Sequence, residues 1–308
     1  TQWENSYEDY TGSGSTFQTS DGEYIIGTDN SLIKLSQYGE IEWDVIYDWA
    51  LEGMFNTFGI QEFYPTSDGG YIISGKHSDT GSTAGSRVVF KTNEFGDVQW
   101  DITLNGEIYG WQETDYIQQT QDGGYIVCGY TNFNNVAEDF SIIKLDANGT
   151  LEWEKNYYEL GGQRVYSAKQ TLDGGYILCG FTSPDYGYGG VYLVKTDLNG
   201  NIEWENIYGQ GEYPHHNRSS IIQTSDGGYV VCSDKVINVN TSNASRVIWL
   251  FKTDGQGNLV TSEMINFNDD KTLLQTVDLL GRSTNDKAFI PLIDIYNDGS
   301  TKKRIIIE

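Results

Sequence analysis

One ten-residue segment recurs along this chain and constrains its fold more than any other feature. The segment "QTSDGGYVVC" begins at Gln223, and near-copies begin at Pro65, Gln119 and Gln170. Each copy has a polar "DGG" centre flanked by strand-forming residues, which is the pattern of a hairpin with a tight turn. A hairpin that recurs along the chain predicts a repeat architecture, in which similar units pack against one another.

The full repeat unit has four strand-like runs. In the unit around Tyr125 they read "DYIQQT", "GGYIVCG", "FSIIKLD" and "LEWEKNYY", with the tight turns "QDGG" and "DANG" after the first and third runs. No long stretch of the chain has the i, i+3, i+4, i+7 apolar spacing of an amphipathic helix. We therefore predict an all-β protein whose repeat unit is a four-stranded antiparallel meander, and we number its strands first to fourth.

The number of repeat units follows from two recurring aromatic positions. The second-strand tyrosine appears five times, as Tyr24, Tyr71, Tyr125, Tyr176 and Tyr229. The fourth-strand tryptophan appears as Trp43, Trp100, Trp153 and Trp204, with Thr261 at the equivalent place in the fifth unit. After Thr261 the chain has three more strand-like runs and ends, while "QWENSY" from Gln2 matches the fourth strand "EWENIY" from Glu203. The two chain ends are therefore predicted to share a sixth unit.

These observations predict a six-bladed β-propeller of four-stranded antiparallel blades, closed by the N-terminal strand completing the C-terminal blade. Closure of the ring removes the open sheet edges that a linear array would leave. The whole chain, residues 1–308, is predicted to be a single domain. Its repeat units are placed at approximately 14–47, 60–104, 115–158, 165–208, 219–265, and 272–308 plus 1–7.

Two propeller families have similar motifs. The stretch "KTDLNGNIEWENIYG" from Lys195 resembles the Asp-x-x-x-Gly-x-x-x-Trp docking motif of quinoprotein-type (PQQ-like) propellers, although it is one residue shorter before the glycine. The strand order resembles that of kelch repeats, whose double glycine is reduced here to Gly75, Gly129 or Gly180. The resemblance covers nearly the whole chain and implies a propeller fold. It transfers no quinone site or active-site residue, because no residues here match one, and we expect no cofactor.

The composition excludes several classes of function. The net charge of -25 and the 19 scattered basic residues argue against a nucleic-acid partner, which requires clustered Lys and Arg. No run of 18 apolar residues is present, so no membrane span is predicted, and the start at Thr1 has no basic and apolar leader. Cys128, Cys179 and Cys232 occupy one repeat position, and we expect packed free thiols there.

The other repeated residues are expected to be structural. The turn aspartates are too closely spaced for an EF-hand-type calcium loop, and we expect them to cap their own turns. The third-strand lysines are Lys34, Lys91, Lys144, Lys195 and Lys252. We expect the ammonium group of Lys144 to lie over the Trp153 ring, and the fourth-strand tryptophans to dock one blade on the next. No metal site is predicted.

The variable residues gather at one end of the predicted blades. Turns after first and third strands are short and uniform, whereas those after second and fourth strands are mostly long and irregular; we call the latter end the long-loop face. Its aromatic residues are Trp49, Phe55, Phe58, Tyr109, Trp111, Phe133, Tyr186, Tyr188 and Tyr213. Exposed rings among polar residues suit sugars or a protein partner. Alternatively, these rings pack the loops onto the blades.

Two further loop features extend the candidate site. The segment "PHHNR" from Pro214 would bind a metal only with ligands from other loops, so solvated histidines are the ordinary interpretation. Arg87, Arg164, Arg218 and Arg246 begin first or third strands, where they would either clamp a carboxylated ligand or form salt bridges. The candidate ligand-binding residues are Trp49, Tyr109, Trp111, Tyr186, Tyr188, Tyr213, His215 and Arg218.

Three functions are consistent with these features. The leading hypothesis is a non-catalytic, extracellular or cell-surface propeller that binds a glycan or a protein partner through the long-loop face. The second is a polysaccharide-active enzyme, either a glycoside hydrolase or a sialidase-like enzyme, with carboxylates at the central channel; glycoside hydrolysis needs two of them ~5 to 9.5 Å apart. Candidates for that pair are Glu107, Glu113, Asp139, Asp185 and Glu212. The third is a structural subunit of a surface assembly; the oligomeric state is not predicted.

Overall fold

The computed structural model is all-β. It describes residues 3–7, 10, 15–47, 57–78, 85–104, 112–133, 137–157, 162–183, 189–209, 219–237, 245–265, 273–278, 291–296 and 301–305. Among these residues the regular elements are β-strands, without a helix, and they form five four-stranded sheets and one three-stranded sheet, all antiparallel. The prediction of an all-β protein built from four-stranded antiparallel sheets is confirmed.

Each sheet is a meander in chain order. The first contains β1 (Thr16–Gln18), β2 (Tyr24–Gly27), β3 (Ser31–Leu35) and β4 (Ile41–Ile46). The second contains β5 (Thr57–Pro65), β6 (Tyr71–Ser78), β7 (Gly85–Thr92) and β8 (Val98–Leu104). The third contains β9 (Gln112–Gln119), β10 (Tyr125–Phe133), β11 (Ala137–Leu145) and β12 (Leu151–Tyr157).

The remaining sheets follow the same order. The fourth contains β13 (Gly162–Gln170), β14 (Tyr176–Ser183), β15 (Gly190–Thr196) and β16 (Ile202–Tyr208). The fifth contains β17 (Ser220–Gln223), β18 (Tyr229–Ile237), β19 (Ser245–Thr253) and β20 (Leu259–Ile265). The three-stranded sheet contains β21 (Leu273–Asp278), β22 (Pro291–Tyr296) and β23 (Thr301–Ile305). The chain divides into two compact units, Thr1–Met264 and Ile265–Glu308.

Burial distinguishes inner from outer strands in the first unit. The third strand β15 is buried along its whole length, as expected for a strand covered on both faces. The fourth strand β16 consists of exposed and half-buried residues, so part of its surface meets solvent. Apolar clusters lie between neighbouring sheets, and each combines residues of two consecutive sheets. The sheets of this unit therefore pack face to face.

The repeated segment builds its hairpin turn through the aspartate. In the fourth sheet, the Thr171 hydroxyl and the Gly175 amide both donate hydrogen bonds to the Asp173 carboxylate. Gly174 has a φ of 87°, in the left-handed region that glycine adopts without strain. The interpretation of the turn aspartates as caps is confirmed.

The same segment also joins neighbouring sheets through its glutamine. The side-chain oxygens of Gln119, Gln170 and Gln223 accept hydrogen bonds of 2.8 Å from the backbone amides of Ser67, Gln121 and Leu172, respectively, in the preceding sheet. Gln170 also donates to its own turn, at the Gly174 carbonyl. In the second sheet, Pro65 occupies the glutamine position and cannot form this bond. The segment thus recurs because it shapes the hairpin and also links it to its neighbour.

The fourth-strand tryptophans dock on the following sheet. Their rings meet its second-strand tyrosine at centroid distances of 6.3 Å (Trp43–Tyr71), 5.6 Å (Trp100–Tyr125), 5.8 Å (Trp153–Tyr176) and 5.8 Å (Trp204–Tyr229). The Trp204 indole nitrogen also donates to the Gly255 carbonyl, 3.1 Å away. The predicted docking role of these tryptophans is confirmed.

Residues 3–7 make the same contacts to the first sheet. The Trp3 ring lies 5.8 Å from the Tyr24 ring, and its indole nitrogen donates to the Gln37 carbonyl at 3.0 Å. The Tyr7 hydroxyl donates to the Gly39 carbonyl at 2.6 Å, just as the Tyr157 hydroxyl donates to a turn carbonyl of the fourth sheet. The N-terminal segment therefore occupies the position that a fourth strand takes against the sheet after it.

The third-strand lysines form ion pairs at the turns. Lys144 lies opposite Trp153 in the strand register, as predicted, and its ammonium nitrogen lies 3.0 Å from both the Asp122 and the Glu152 carboxylates. The same arrangement recurs at Lys195. Burial would raise the pKa of Asp122, but the hydrogen bonds from its turn threonine and from Lys144 outweigh it and hold that pKa below 3.8. The predicted register is confirmed, but the prediction that the Lys144 ammonium lies over the Trp153 ring is wrong, because the turn carboxylates hold that ammonium instead.

The three cysteines do not share one environment. Cys128 and Cys179 are buried free thiols, as predicted, whereas Cys232 is exposed, so the prediction is wrong there. Leu250, opposite Cys232 in the register, is 37 % exposed, while its equivalents Ile142 and Leu193 are fully buried. In the third and fourth sheets this face packs against the following sheet. In the fifth sheet the same face is apolar and exposed.

Candidate functional site

The long loops arise at one end of the sheets. Because consecutive strands are antiparallel neighbours, the connections after first and third strands lie at one end, and those after second strands lie at the other. All eight candidate residues lie outside the described residues: Trp49, Tyr109, Trp111, Tyr186, Tyr188, Tyr213, His215 and Arg218. Their role in binding stays a prediction.

Phe58 is a long-loop aromatic whose side chain the structure describes. It is half-buried and packs on the core of the second sheet, with its ring centroid 6.0 Å from that of Phe90. For this residue the alternative interpretation holds, in which the ring secures the loop to the sheet. Phe58 is therefore not a candidate ligand contact.

Two of the predicted arginines converge on one residue near the long-loop face. The Arg87 side chain is buried, and it donates to the Tyr130 carbonyl at 2.6 Å and to the Ser141 hydroxyl at 3.2 Å. The Arg164 guanidinium carbon lies 4.5 Å from the centroid of the Tyr130 ring, in cation–π contact. These arginines join the second, third and fourth sheets, so Arg87 is committed to the scaffold. The side chain of Arg246 lies outside the described residues.

The carboxylates considered for catalysis are not brought together by any described contact. Glu107, Asp185 and Glu212 lie outside the described residues, as do the side chains of Glu113 and Asp139. In the backbone register, Glu113 lies opposite Tyr130 and Asp139 lies opposite Thr131. The hypothesis of a glycosidase-type pair therefore stays a prediction.

A second candidate site lies on the first strands, of which β5, β9, β13 and β17 contact one another from sheet to sheet. Two residues before the turn threonine, the first strand of each four-stranded sheet carries a residue that the repeat does not fix: Phe17, Tyr64, Gln118, Lys169 and Ile222. Two residues further back stand Ser15, Glu62, Tyr116, Ser167 and Ser220. Side chains from four sheets meet here. We call Phe17, Glu62, Tyr64, Tyr116, Gln118 and Lys169 the axial cluster.

The Lys169 ammonium group is the centre of the axial cluster. It donates a hydrogen bond to the Tyr116 hydroxyl, and it lies 4.6 Å from the Tyr116 ring centroid and 5.9 Å from that of Tyr64. The Tyr116 hydroxyl donates to the Gln118 side-chain oxygen at 2.7 Å. The Phe17 and Tyr64 rings meet edge to face, with centroids 5.1 Å apart. A lysine of the fourth sheet thus reaches a tyrosine of the second.

Burial sets the electrostatics of this cluster. Desolvation lowers the pKa of Lys169 below its ordinary 10.5, and the negative charge of Glu62 opposes that shift. Desolvation also raises the pKa of Tyr116 well above 10, so its hydroxyl stays protonated at neutral pH. Glu62 accepts a hydrogen bond from the Ser15 hydroxyl. The cluster therefore holds a desolvated amine, a neutral phenol and one engaged carboxylate.

Sequence reasoning missed the axial cluster, although a signal for it exists. The glutamine, threonine, aspartate and glycines around the first turn recur from unit to unit, whereas the residue two before the threonine changes each time. A position left free inside a tightly repeated segment is one that the scaffold does not need for folding. Such a position is available for function.

The described residues contain neither a cluster of metal ligands nor a long apolar helix. Within the described segments, no cluster of three or more His, Cys, Asp and Glu side chains is suited to hold a metal ion. No helical stretch in that part of the chain has the length and apolar character needed to cross a bilayer.

Consecutive four-stranded meanders that pack face to face, with first strands in contact and fourth strands outermost, define a fold of the β-propeller type. Two solved structures are similar to this chain, each with a TM-score of 0.52 and 14 % sequence identity. One is a protein of unknown function from Bacteroides caccae, with 83 % of each chain covered. The other is the Pan2 WD40 domain of Neurospora crassa, with 98 % of this chain and 81 % of that chain covered. No family model and no curated protein matches the sequence.

Proposed function

We propose that this protein is a non-catalytic binding propeller that acts outside the cell or at its surface and holds a glycan or a protein partner on the long-loop face. The contrast between the two ends of the sheets carries this proposal. At the short-turn end, the repeated Asp, Lys, Gln and Trp side chains bond to one another and to neighbouring turns. Groups engaged in this way serve the scaffold, which leaves the non-repeated loops at the opposite end to meet a ligand.

The proposal includes a ring of six blades. Residues 3–7 already hold the position of a fourth strand before the first sheet, and the sheet of β21, β22 and β23 has three strands. The exposed apolar face around Cys232 and Leu250 is the face that a following sheet covers elsewhere. A sixth blade made of β21–β23 and residues 1–7 would cover that face. The packing of Trp153 on the Gly200 turn also supports the resemblance to quinoprotein-type docking.

Strand register within the repeat predicts how the ends pair. Ile207 lies opposite Tyr192 in the fourth sheet, and "WENSY" matches "WENIY", so Ser6 is equivalent to Ile207. Aligning Phe289 with the second-strand tyrosine Tyr176 makes Lys303, which lies opposite Ile293, equivalent to Tyr192. In a closed ring, Ser6 and Lys303 are therefore cross-strand neighbours, ~5 Å apart between Cβ atoms.

Ring closure predicts a disulfide between the chain ends. In a Cys232→Ser background, which removes the exposed thiol, the pair Ser6→Cys/Lys303→Cys is expected to form one intramolecular bond under mild oxidation. Non-reducing electrophoresis of the denatured monomer would show a faster band. The matched pair Ser6→Cys/Lys155→Cys should give none. Absence of the fast band in the first pair, with both thiols reactive towards a maleimide, would refute the closed ring.

Binding at the long-loop face predicts a selective effect of aromatic truncation. Trp111→Ala and Tyr188→Ala are each expected to weaken ligand retention about tenfold or more, because buried aromatic anchors carry most of the energy of an interface. Their melting temperatures should stay within about 2 °C of the parent, as for surface substitutions. The readout is a glycan array with a pull-down panel of surface proteins.

Exposed aromatics at the opposite end provide the matched control. Tyr38 and Phe95 are 67 % and 59 % exposed and lie in the short turns after third strands. Tyr38→Ala and Phe95→Ala should leave binding unchanged. If the long-loop and short-turn variants lose the same ligand affinity, or if Trp111→Ala and Tyr188→Ala bind as the parent does, the long-loop face is not the binding surface.

A further inference from the structure

We propose that the axial cluster is a binding site for the carboxylate of a small ring-bearing acid, separate from the long-loop face. Lys169 and Gln118 would hold the carboxylate, and Phe17 and Tyr64 would contact the ring of the ligand. This site uses first-strand residues near the short-turn end, so it does not depend on the long loops.

The hydrogen bonds of Lys169 are the first argument. An ammonium group has three N–H donors. Within the described part of the chain, the Tyr116 hydroxyl is the hydrogen-bond acceptor found for Lys169, and no carboxylate oxygen lies within 4 Å of its nitrogen. This differs from Lys91, Lys144 and Lys195, whose ammonium groups are each held by a turn aspartate. Lys169 therefore has donors to offer to an anion.

The neighbouring amide is the second argument. The Gln118 side-chain oxygen accepts the hydrogen bond from Tyr116, so its NH₂ group remains as a donor. Gln118 and Lys169 hold equivalent positions on neighbouring first strands, β9 and β13. A carboxylate has two oxygens and accepts from two donors at once. The ammonium group of Lys169 and the amide NH₂ of Gln118 can supply these two donors, so together they suit a carboxylate better than a neutral ligand.

Access and ring contact are the third argument. Phe17, Tyr64, Tyr116, Gln118 and Lys169 are all half-buried, so each keeps some surface exposed to solvent. Partly exposed aromatic rings beside a cation suit the apolar face of a sugar or an aromatic ring. Burial also disfavours a charged lysine, and a bound carboxylate would compensate for that by pairing with it. The ligand class is therefore a ring with a carboxylate, either an aromatic acid or a uronic acid.

The test uses benzoate and glucuronate as probes, with benzyl alcohol and glucose as their neutral counterparts. Calorimetric titration of the intact protein is expected to show binding of at least one acid, and binding at least about tenfold weaker for its neutral counterpart. Binding of benzoate without glucuronate would identify an aromatic acid, and the reverse a uronic acid. If neither acid binds more tightly than its neutral counterpart, the proposal is wrong.

Variants locate the site. Lys169→Met should weaken binding of the acid at least tenfold, and Lys169→Arg should retain part of it. Lys155→Met, at a half-buried lysine on β12 outside the axial cluster, should leave binding of the acid unchanged. Should Lys169→Met fail to fold, lysine-labelled NMR of the parent protein decides, because the Lys169 signal must shift on addition of the acid. An unshifted signal, or undiminished binding by folded Lys169→Met, would overturn the proposal. Trp111→Ala should bind the acid normally, which separates this site from the long-loop face.

Discussion

Gly175→Ala is expected to lower the free energy of unfolding by about 3 kcal/mol or more, or to prevent folding altogether. A Cβ at Gly175 would lie 2.1 Å from the Thr196 carbonyl oxygen, which belongs to the neighbouring strand, and 2.8 Å from the Lys195 ammonium nitrogen. The backbone of β15 cannot move away without breaking its pairing with β14 and β16. The second glycine of each "DGG" turn is therefore required for steric reasons, because a side chain there would clash with the neighbouring strand.

The first glycine of the same turn is the matched control. Gly174 has a φ of 87°, and a Cβ there would meet no atom within 4 Å. Gly174→Ala should cost only about 1 to 2 kcal/mol, the strain of a left-handed alanine. Urea denaturation measures both. The pair Gly123 and Gly124 repeats the comparison in the third sheet. If the two glycine-to-alanine variants of one turn lose the same free energy of unfolding, the close approach of the carbonyl oxygen is not the reason for a glycine at the second position.

Trp153→Ala is expected to destabilise the protein by about 3 to 5 kcal/mol, the usual range for losing a large packed ring. The ring contacts Tyr176, and its edge lies against Gly200 in the turn of the fourth sheet. Its removal leaves a cavity between two sheets that cannot close without shifting both. The loss therefore acts on the docking of one sheet on the next.

A residue two positions earlier on the same strand provides the control for truncating a side chain at this strand. Leu151 is 48 % exposed, and Leu151→Ala should change stability by no more than about 0.5 kcal/mol. Thermal and urea unfolding of the two variants give the comparison. A Trp153→Ala variant as stable as Leu151→Ala would mean that the tryptophans are dispensable for docking.

The scaffold could be predicted from the sequence because its contacts are repeated. The turn of Asp173 and the docking of Trp153 each depend on residues that recur at a fixed spacing, so the pattern identifies both partners. The ion pair of Lys144 with Asp122 was missed for a physical reason. A four-carbon stem lets the ammonium reach a turn beyond its cross-strand neighbour, and strand register fixes only the Cα positions.

The sites could be predicted less well, because they depend on what is not repeated. Lys169, Tyr116 and Tyr64 come together only because first strands of three sheets approach one another, and no local pattern in the sequence states that distance. Cys232 was placed wrongly because the repeat was assumed to give each sheet the same surroundings. The long-loop candidates do not recur at a fixed spacing. Sequence reasoning therefore identified the end of the sheets at which they lie, but not the residues that they contact.

Pro65 gives one junction between sheets a character of its own. The glutamine bridge found between the second and third, third and fourth, and fourth and fifth sheets is lost there. The first and second sheets are held instead by contacts that include the Trp43 ring on Tyr71, the Phe17 ring on Tyr64 and a backbone hydrogen bond from Ile60 to Asp29. We therefore expect the junction between the first and second sheets to open more readily than the three junctions that Gln119, Gln170 and Gln223 bridge.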